Sequence, residues 1–359
     1  MNLEVLKLCK RHEASYTKLI EQCSWAMFYH SLKYRDILKK TLSPNALDHY
    51  FIIVRDKEVI AALPAFICDG KYGKVLNSLP FYGSHGSILL KRNKNKFLKN
   101  LLVKCLEEFC KNNNVNFVTL IDTPFLCEKN YLKKNFIFQF IDKRIGQINF
   151  FPVLKSNTDL HETLLNSYHQ KTRNIVRKAL KSNLKFNHSN DTEVLENLYS
   201  LHKKNINRLG GVSKPRKFFN YLSKQFIYDK EYRIYVAKNS KSKIVCAMLL
   251  FYFKDIVEYF IPAIDIEWKK EQPLSALIHI AMYDAIKEKK IVKWNWGGTW
   301  TTQKGVYHFK SRWGAKDLPY FYYSKILFNE KKLTYITPKE LLESYPFFYT
   351  IPFSNFNKK

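Results

Sequence analysis

The spacing of apolar residues along this chain changes period several times, and each change marks an element. "HYFIIVRDKEVIAALPAFI" carries apolar runs on either side of Asp56-Lys57 and predicts a two-stranded hairpin. "VLNSLPFYGSHGSILL" follows as a strand that runs into a glycine-bearing loop. In "NKFLKNLLVKCLEEFCKNNN" the spacing becomes helical, with Phe97, Leu101, Leu102, Cys105, Leu106 and Phe109 on one face. "VNFVTLID" and "FIFQFID" then alternate as strands. A similar succession returns later. "EYRIYVAKN" and "IVCAMLLFYF" predict a hairpin about Ser240-Lys241, and "IVEYFIPAI" a third strand. "PLSALIHIAMYDAIKEKK" predicts a helix that opens on Pro273 and ends in basic residues, both favourable at those ends. Strand "IVKWNWGG", a short helix near "GVYHFKSRWG" and strand "YFYYSKILF" complete the second series.

Hairpin, strand, helix, strand, helix, strand is an α+β order, in which helices flank a mixed, mostly antiparallel sheet in each half. A boundary near Phe151-Pro152 gives domains 1–152 and 153–329. The second opens with helices expected at about 159–182, 192–209 and 215–227, the middle one stopped by Gly210-Gly211. The 330–359 tail, aromatic and broken by proline, is expected to pack back onto the body.

Composition narrows the picture. The 359 residues are 46% hydrophobic and 16% aromatic, enough for two cores and unlike a disordered chain. Lys+Arg number 60 against 31 Asp+Glu, and the net charge of +29 favours anionic partners. Abundant Lys, Asn, Ile, Phe and Tyr are also what an AT-rich genome yields, so only clustered charge counts as evidence. The seven cysteines include no C-x-x-C and no Cys/His pair at zinc spacing; no metal is expected, and a reducing compartment is. The N-terminal "MNLEVLKLCKRHEASY" is interrupted by charges and does not resemble a signal peptide. The longest apolar run, Ile244 to Phe253, is about half of the ~20 residues a membrane span needs. A cytoplasmic location is expected, with the inner membrane face as a surface for peripheral contact.

Charge clusters most densely in "SYHQKTRNIVRKALKSNLKF", Ser167 to Phe186. With Tyr168 at the origin of a helical wheel, Thr172, Ile175, Val176, Ala179 and Leu180 fall on one side. Arg173, Arg177 and Lys181 run along the other at i, i+4, i+8, flanked by Lys171 and Lys178. Most charged faces are simply solvated. This one contains no acidic residue to relieve repulsion, and a planar guanidinium matches phosphate oxygens. A second informative stretch runs from Lys293 to Tyr323. A strand ends at Gly297-Gly298, a polar loop holds Trp300, and cations Lys304, Lys310 and Arg312 follow. Glycines there permit close approach of a ligand. Trp294 and Phe309 read as core, whereas Lys310 is harder to explain as packing.

These residues resemble a family. "YHQKTRNIVRKAL" is similar to the basic helix that opens the second domain of the FemABX-like transferases. "PLSALIHIAMYDAIKEKKIVKWNWGG" followed by "GVYHFKSRWG" resembles that family's helix, strand and Phe-Lys-x-x-x-Gly closure, and "LNSLPFYGSHGSILL" its first-domain loop. The resemblance covers about 50–325 in order. It implies two acetyltransferase-like (GNAT) domains in tandem, a substrate cleft at their interface, and transfer of an acyl or aminoacyl group to an amine. Acceptors in the family are cell-envelope precursors or amino sugars, often on a nucleotide or lipid diphosphate. Lys310 matches the motif lysine, expected to hold acceptor phosphate, and Arg173 and Arg177 match the basic helix, with Tyr168, Lys171 and Lys304 beside them.

Two departures bear on the donor. The acyl-CoA-binding turn Arg/Gln-x-x-Gly-x-Gly/Ala is replaced by "IDIEWKKEQPLSA", and the long helical hairpin of some peptidoglycan aminoacyltransferases is missing. Candidate bases are His85, in a glycine-flanked loop, and His308, with Asp265 and Glu267 as further carboxylates. His308 and Lys310 are two positions apart, so a helix turns them to different sides. The sequence has no P-loop, HExxH or GxSxG. The expectation is an acyltransferase acting on an amino sugar or other phosphate-bearing envelope glycan, with acyl-CoA as donor. The alternatives are an aminoacyl-tRNA-dependent enzyme extending a peptidoglycan stem peptide, with tRNA as partner, and a non-catalytic RNA-binding protein.

Overall fold

The structure, a computed structural model, describes residues 3–91, 95–125, 132, 138–152, 159–327 and 336–350. Two compact units result: residues 1–144 with 319–359, and residues 145–318. The expected boundaries at 152/153 and 329/330 therefore shift. The chain passes between units at Arg144–Ile145 and Leu318–Pro319, each inside a strand, and 319 onward returns to the first unit.

In the first unit, β1 (Leu3–Lys7) precedes α1 (Glu13–Gln22), α2 (Leu32–Thr41) and β2 (Ala46–Asp48). The expected hairpin is β3 (Phe51–Arg55) and β4 (Glu58–Leu63), closed by Asp56 and Lys57 at φ 51° and 66°. Positive φ at both central residues gives the turn whose twist suits a two-residue hairpin. Pro64 ends β4, and β5 (Ala65–Gly70), β6 (Gly73–Ser78) and β7 (Leu89–Leu90) follow. α3 (Lys96–Asn112) buries Leu98, Leu102, Val103, Leu106 and Cys110, while Phe97 is exposed. Its inner face is thus rotated by about one residue from the expected one, because Leu98 and Cys110 take the inward positions assigned to Phe97 and Phe109. β8 (Val115–Ile121) pairs parallel with β6. The part of "FIFQFID" before Phe138 lies outside the described residues; β9 begins at Phe140 and runs to Phe150.

The second unit holds α4 (Leu160–Ser167), α5 (Gln170–Leu180), β10 (Lys185–His188), α6 (Thr192–Arg208) and α7 (Arg216–Gln225). Next come β11 (Tyr232–Lys238), β12 (Ile244–Phe253), β13 (Ile256–Ile264), α8 (Pro273–Lys287), β14 (Lys293–Trp300) and α9 (Lys304–Ser311). β10 to β13 are antiparallel and β14 joins β13 in parallel, the crossover being α8. The core beneath α8 contains Leu277, Ile278, Ala281, Met282 and Ala285 against Tyr235, Met248, Leu250 and Trp294. The single helix expected over 159–182 is two helices. Tyr168 breaks it with an extended backbone, and His169 caps α5 by accepting the Lys171 N–H on Nδ1.

β15 (Lys316–Ile326) ends in the first unit, where Tyr322 and Tyr323 pair with Ile121 and Leu120. Within the described part of the tail, α10 (Pro338–Ser344) leads to Tyr345, whose hydroxyl bonds the Gly73 carbonyl at 2.6 Å. Asn77 exchanges two hydrogen bonds with the Tyr349 backbone. No helix among the described residues is long and apolar enough to cross a membrane.

Candidate active site

Two features set β13 apart. Leu249 pairs with Ile261 and Leu250 with Tyr259, so Phe260 is an extra residue that bends the strand. Pairing with β14 covers only Ile256–Lys293, Val257–Trp294 and Glu258–Asn295. Beyond that rung β13 runs on to Ile264 and β14 to Trp300 with no further pairing between them among the described residues.

Polar side chains are buried at the last paired rung. Glu258 and Asn295 are 3% and 0% exposed, and the Asn295 amide donates to the Glu258 carboxylate. The Asn295 oxygen accepts the Gly297 N–H at 3.0 Å, and Gly297 adopts φ +74°. Four residues on, Thr299 and Lys310 meet. Lys310 leaves α9 inward, is 6% exposed, and donates from Nζ to Thr299 Oγ1 at 2.9 Å and to the Gly298 carbonyl at 3.4 Å. Burial pulls its ammonium down to about 8, against the attraction of Glu258, which favours the charged form. Among the described residues these acceptors account for two of its three N–H bonds.

Beside this cluster stands an aromatic wall. Trp296 packs on Tyr259 at 4.9 Å and on Trp313 at 5.8 Å between ring centres. Asn149 ties the wall down, accepting from Trp296 Nε1 at 2.6 Å and donating to the Trp313 carbonyl at 2.7 Å. Trp294 is core as expected, whereas Phe309 is 37% exposed, because it leaves α9 one position before Lys310.

The basic helix α5 begins against the end of α9: the His169 N–H bonds the Arg312 carbonyl at 2.9 Å. Lys171 and Arg177 are exposed and Arg173 is half-buried. The preceding helix supplies the acidic partner that α5 lacks. Glu162 pairs with Arg177 at 3.3 Å, and Asn166 accepts from Arg173 at 2.9 Å. Both ions of the Glu162–Arg177 pair are about half-exposed, a geometry of small worth that leaves the guanidinium open to a better anion.

Other expected site residues land elsewhere. Tyr168 cannot bind phosphate: it is 3% exposed, faces inward against Trp313, and its hydroxyl is engaged with His279 Nδ1 at 3.0 Å. His85 is fully buried in the first unit, edge-on to Tyr320 at 4.6 Å, so the glycine-flanked loop packs inward and does not present an accessible base. His308 is exposed on α9 while Lys310 is buried, the two turned apart by the helix. Asp265 caps a short 3-10 turn and pairs with Lys243 at 3.0 Å, and Glu267 is exposed in that turn. Trp300 is half-buried and Lys304 exposed at the first turn of α9. The sequence reading missed Glu258, Asn295, Thr299, Gln147 and Asn149. Their signal was present as single polar residues inside apolar strands, which are costly to bury without partners.

This fold has counterparts among solved structures. FemX aligns with a TM-score of 0.67 at 15% identity, over 92% of this chain and 98% of that one. A tandem GNAT protein from the clavulanic acid biosynthesis pathway, without acetyl-CoA, aligns at 0.54 and 9% identity, over 92% and 100%. L-PGS from Bacillus licheniformis aligns at 0.52 and 14%, over 84% and 93%. The chain has the tandem GNAT-like fold of FemX. No family model matches it, and no curated protein matches its sequence.

Within that fold, the helix after β13 is where "IDIEWKKEQPLSA" replaces a glycine turn. Residues Ile266–Glu271 form a 3-10 helix, Gln272 is left-handed at φ +54°, and Pro273 opens α8. The Gln272 carbonyl accepts the N–H groups of Ser275 at 2.9 Å and Ala276 at 3.4 Å. Pro273 has no N–H, so the start of α8 keeps few donors for a pyrophosphate.

Proposed function

We propose that this protein transfers an acyl or aminoacyl group to an amine of a phosphate-bearing acceptor. The observation that carries the reading is the buried Lys310 ammonium, held on Thr299 and the Gly298 carbonyl just past the last rung that β14 shares with β13. Attack of an amine on an ester or thioester carbonyl builds negative charge on oxygen, and a fixed, desolvated cation stabilises that charge better than water does. Glu258 and Asn295, at the last paired rung, keep the cation's surroundings polar. Arg173, Arg177 and Lys171, on the helix docked against the end of α9, supply attraction for acceptor phosphate.

Of the two donors, an aminoacyl-tRNA is favoured by the start of α8, which keeps few N–H donors for a CoA pyrophosphate. The FemX-like fold and the net charge of +29 agree with that choice. Acyl-CoA transfer to an amino sugar is the second reading, supported by the likeness to a tandem GNAT protein. A thermal-shift titration separates them. A bound ligand at 100 times its Kd stabilises by about 2.7 kcal/mol, which raises the melting temperature measurably. Stabilisation by charged tRNA that survives added salt, with no response to acyl-CoAs, supports the first donor. Saturable stabilisation by an acyl-CoA supports the second. If neither shifts the transition and no transfer to an amine is found, the acyltransferase reading fails.

A further inference from the structure

Among the described residues, the large apolar side chain that faces solvent most fully is Leu209, 76% exposed at the end of α6. Val212, three positions on, is 55% exposed. The turn that carries them is fixed. The Gly210 N–H bonds the Asn207 carbonyl and the Gly211 N–H bonds the Ile206 carbonyl, both at 3.0 Å, the paired bonds of a Schellman cap. Gly210 takes φ +70°, and a Cβ built there meets nothing within 4 Å, so the turn stands clear of the protein around it. Two aliphatic side chains are thus held in water by a rigid helix cap.

Exposed cations flank this turn along the chain. Lys203, Lys204 and Arg208 are exposed on the last two turns of α6, Lys204 and Arg208 one above the other at i, i+4, and Lys217 is exposed at the start of α7. None of the four has an ion pair among those described. Arg216 pairs with Glu196 at 2.6 Å, and Lys214 lies over the Phe260 ring. Between Glu196 and Asp229 the sequence contains no acidic residue.

We propose that the Leu209–Val212 turn docks on an anionic bilayer surface, with the two aliphatic side chains entering the headgroup boundary and Lys204, Arg208 and Lys217 lying against lipid phosphates. Charge complementarity alone would suit nucleic acid equally. The aliphatic tip decides between them, because bases stack on aromatic rings and gain little from Leu and Val on a turn, whereas an interfacial anchor combines apolar area with cations. The inference is independent of the transfer reaction.

The test is co-sedimentation of the full chain with vesicles of phosphatidylcholine alone and of equal parts phosphatidylcholine and phosphatidylglycerol. Binding is expected only to the anionic vesicles. Lys204→Glu/Arg208→Glu should weaken it about tenfold or more, and Leu209→Ser/Val212→Ser should weaken it several-fold. The melting temperature should not change, since these side chains are exposed. As a direct readout, Leu209→Trp should show tryptophan quenching by brominated acyl chains above that of the unsubstituted protein. Failure to bind anionic vesicles overturns the proposal, as does a Leu209→Ser/Val212→Ser variant that binds like wild type. Binding to tRNA that is lost in the charge-reversal variant, with no vesicle binding, would assign the cations to RNA.

Discussion

Lys310 Nζ donates to Thr299 Oγ1, and Thr299 in turn donates to Gln147 Oε1 at 3.1 Å. The direction of this chain is fixed. An ammonium has no acceptor, so the hydroxyl must accept from it and send its own proton to the amide oxygen. The Gln147 amide nitrogen then donates to the Tyr307 carbonyl at 3.2 Å, on the helix that carries Lys310. Three elements thereby hold one cation at one point. Thr299→Val removes the link, leaving the Gln147 oxygen and the Lys310 ammonium each short of a partner. It should cost about 1–3 kcal/mol, read as a lowered melting temperature. It should also push the Lys310 titration further below its already reduced value.

Lys310→Met tests the cation itself. Replacing one buried, desolvated charge by a flexible apolar side chain of similar length should leave the fold as stable or more so. Transfer should nevertheless fall about a hundredfold or more, as when one oxyanion donor is removed elsewhere. Circular dichroism melts and single-turnover transfer assays on the same preparation check both halves. A variant with wild-type turnover would remove Lys310 from the chemistry.

The pH dependence follows with a definite sign. Burial lowers Lys310 from 10.5 to about 8, so between pH 8 and about 10.5 the unfolded chain binds the extra proton. Wild-type stability should therefore rise with pH through that window, by on the order of a few kcal/mol. Activity that needs the ammonium should fall through about pH 8. Burial lowers Lys214 similarly, to about 8, and contributes the same slope. The difference between wild type and Lys310→Met in melts across pH 7 to about 11 isolates Lys310. No difference in slope would show that Lys310 titrates normally.

What was legible in the sequence was local. The Asp56-Lys57 hairpin, the helix opened by Pro273 and the stop at Gly210-Gly211 each rest on neighbouring residues, and the structure has each of them. What was not legible depends on distant partners. At the break, the Tyr168 ring packs on Trp313 and its hydroxyl on His279, far along the chain, contacts that the helical spacing of 159–182 does not reveal. The return of residues 319–326 to the first unit rests on pairing with β8, about 200 residues earlier. The glycines flanking His85 suggest an open loop, yet Tyr320 covers it. Lys310 stands out in the sequence as a motif match and as a lysine with no packing role, but its partner Thr299, and Gln147 beyond that, are brought together only by the fold.

Arg173→Ala/Arg177→Ala addresses the basic helix. The exposed Arg177–Glu162 pair is worth under about 1 kcal/mol, so the melting temperature should barely move. If the guanidinium groups hold acceptor phosphate, the acceptor KM should rise about tenfold while kcat stays near wild type, and the effect should shrink at high salt. Steady-state kinetics at two ionic strengths provide the measurement. An unchanged KM would return this face to ordinary solvation.

Gly314→Ala probes the joint between α9 and the start of α5. Gly314 adopts φ +79°, which an L side chain resists, and a Cβ there would sit 2.6 Å from the Ser167 carbonyl oxygen. That oxygen belongs to backbone leading into Tyr168, so it cannot swing aside as a side-chain tip could. The Trp313 carbonyl, one residue before, is held by Asn149, and the His169 N–H by Arg312. The added methyl must therefore shift the end of α4 or strain the turn, at a cost of about 1–3 kcal/mol. Because the joint connects the basic helix to the Lys310 helix, both KM and kcat should change, unlike the Arg173/Arg177 variant, which changes KM alone. A melt and a kinetic series on Gly314→Ala check this. A variant with wild-type stability would mean that the turn relaxes away from Ser167 and that the two helices are not rigidly joined.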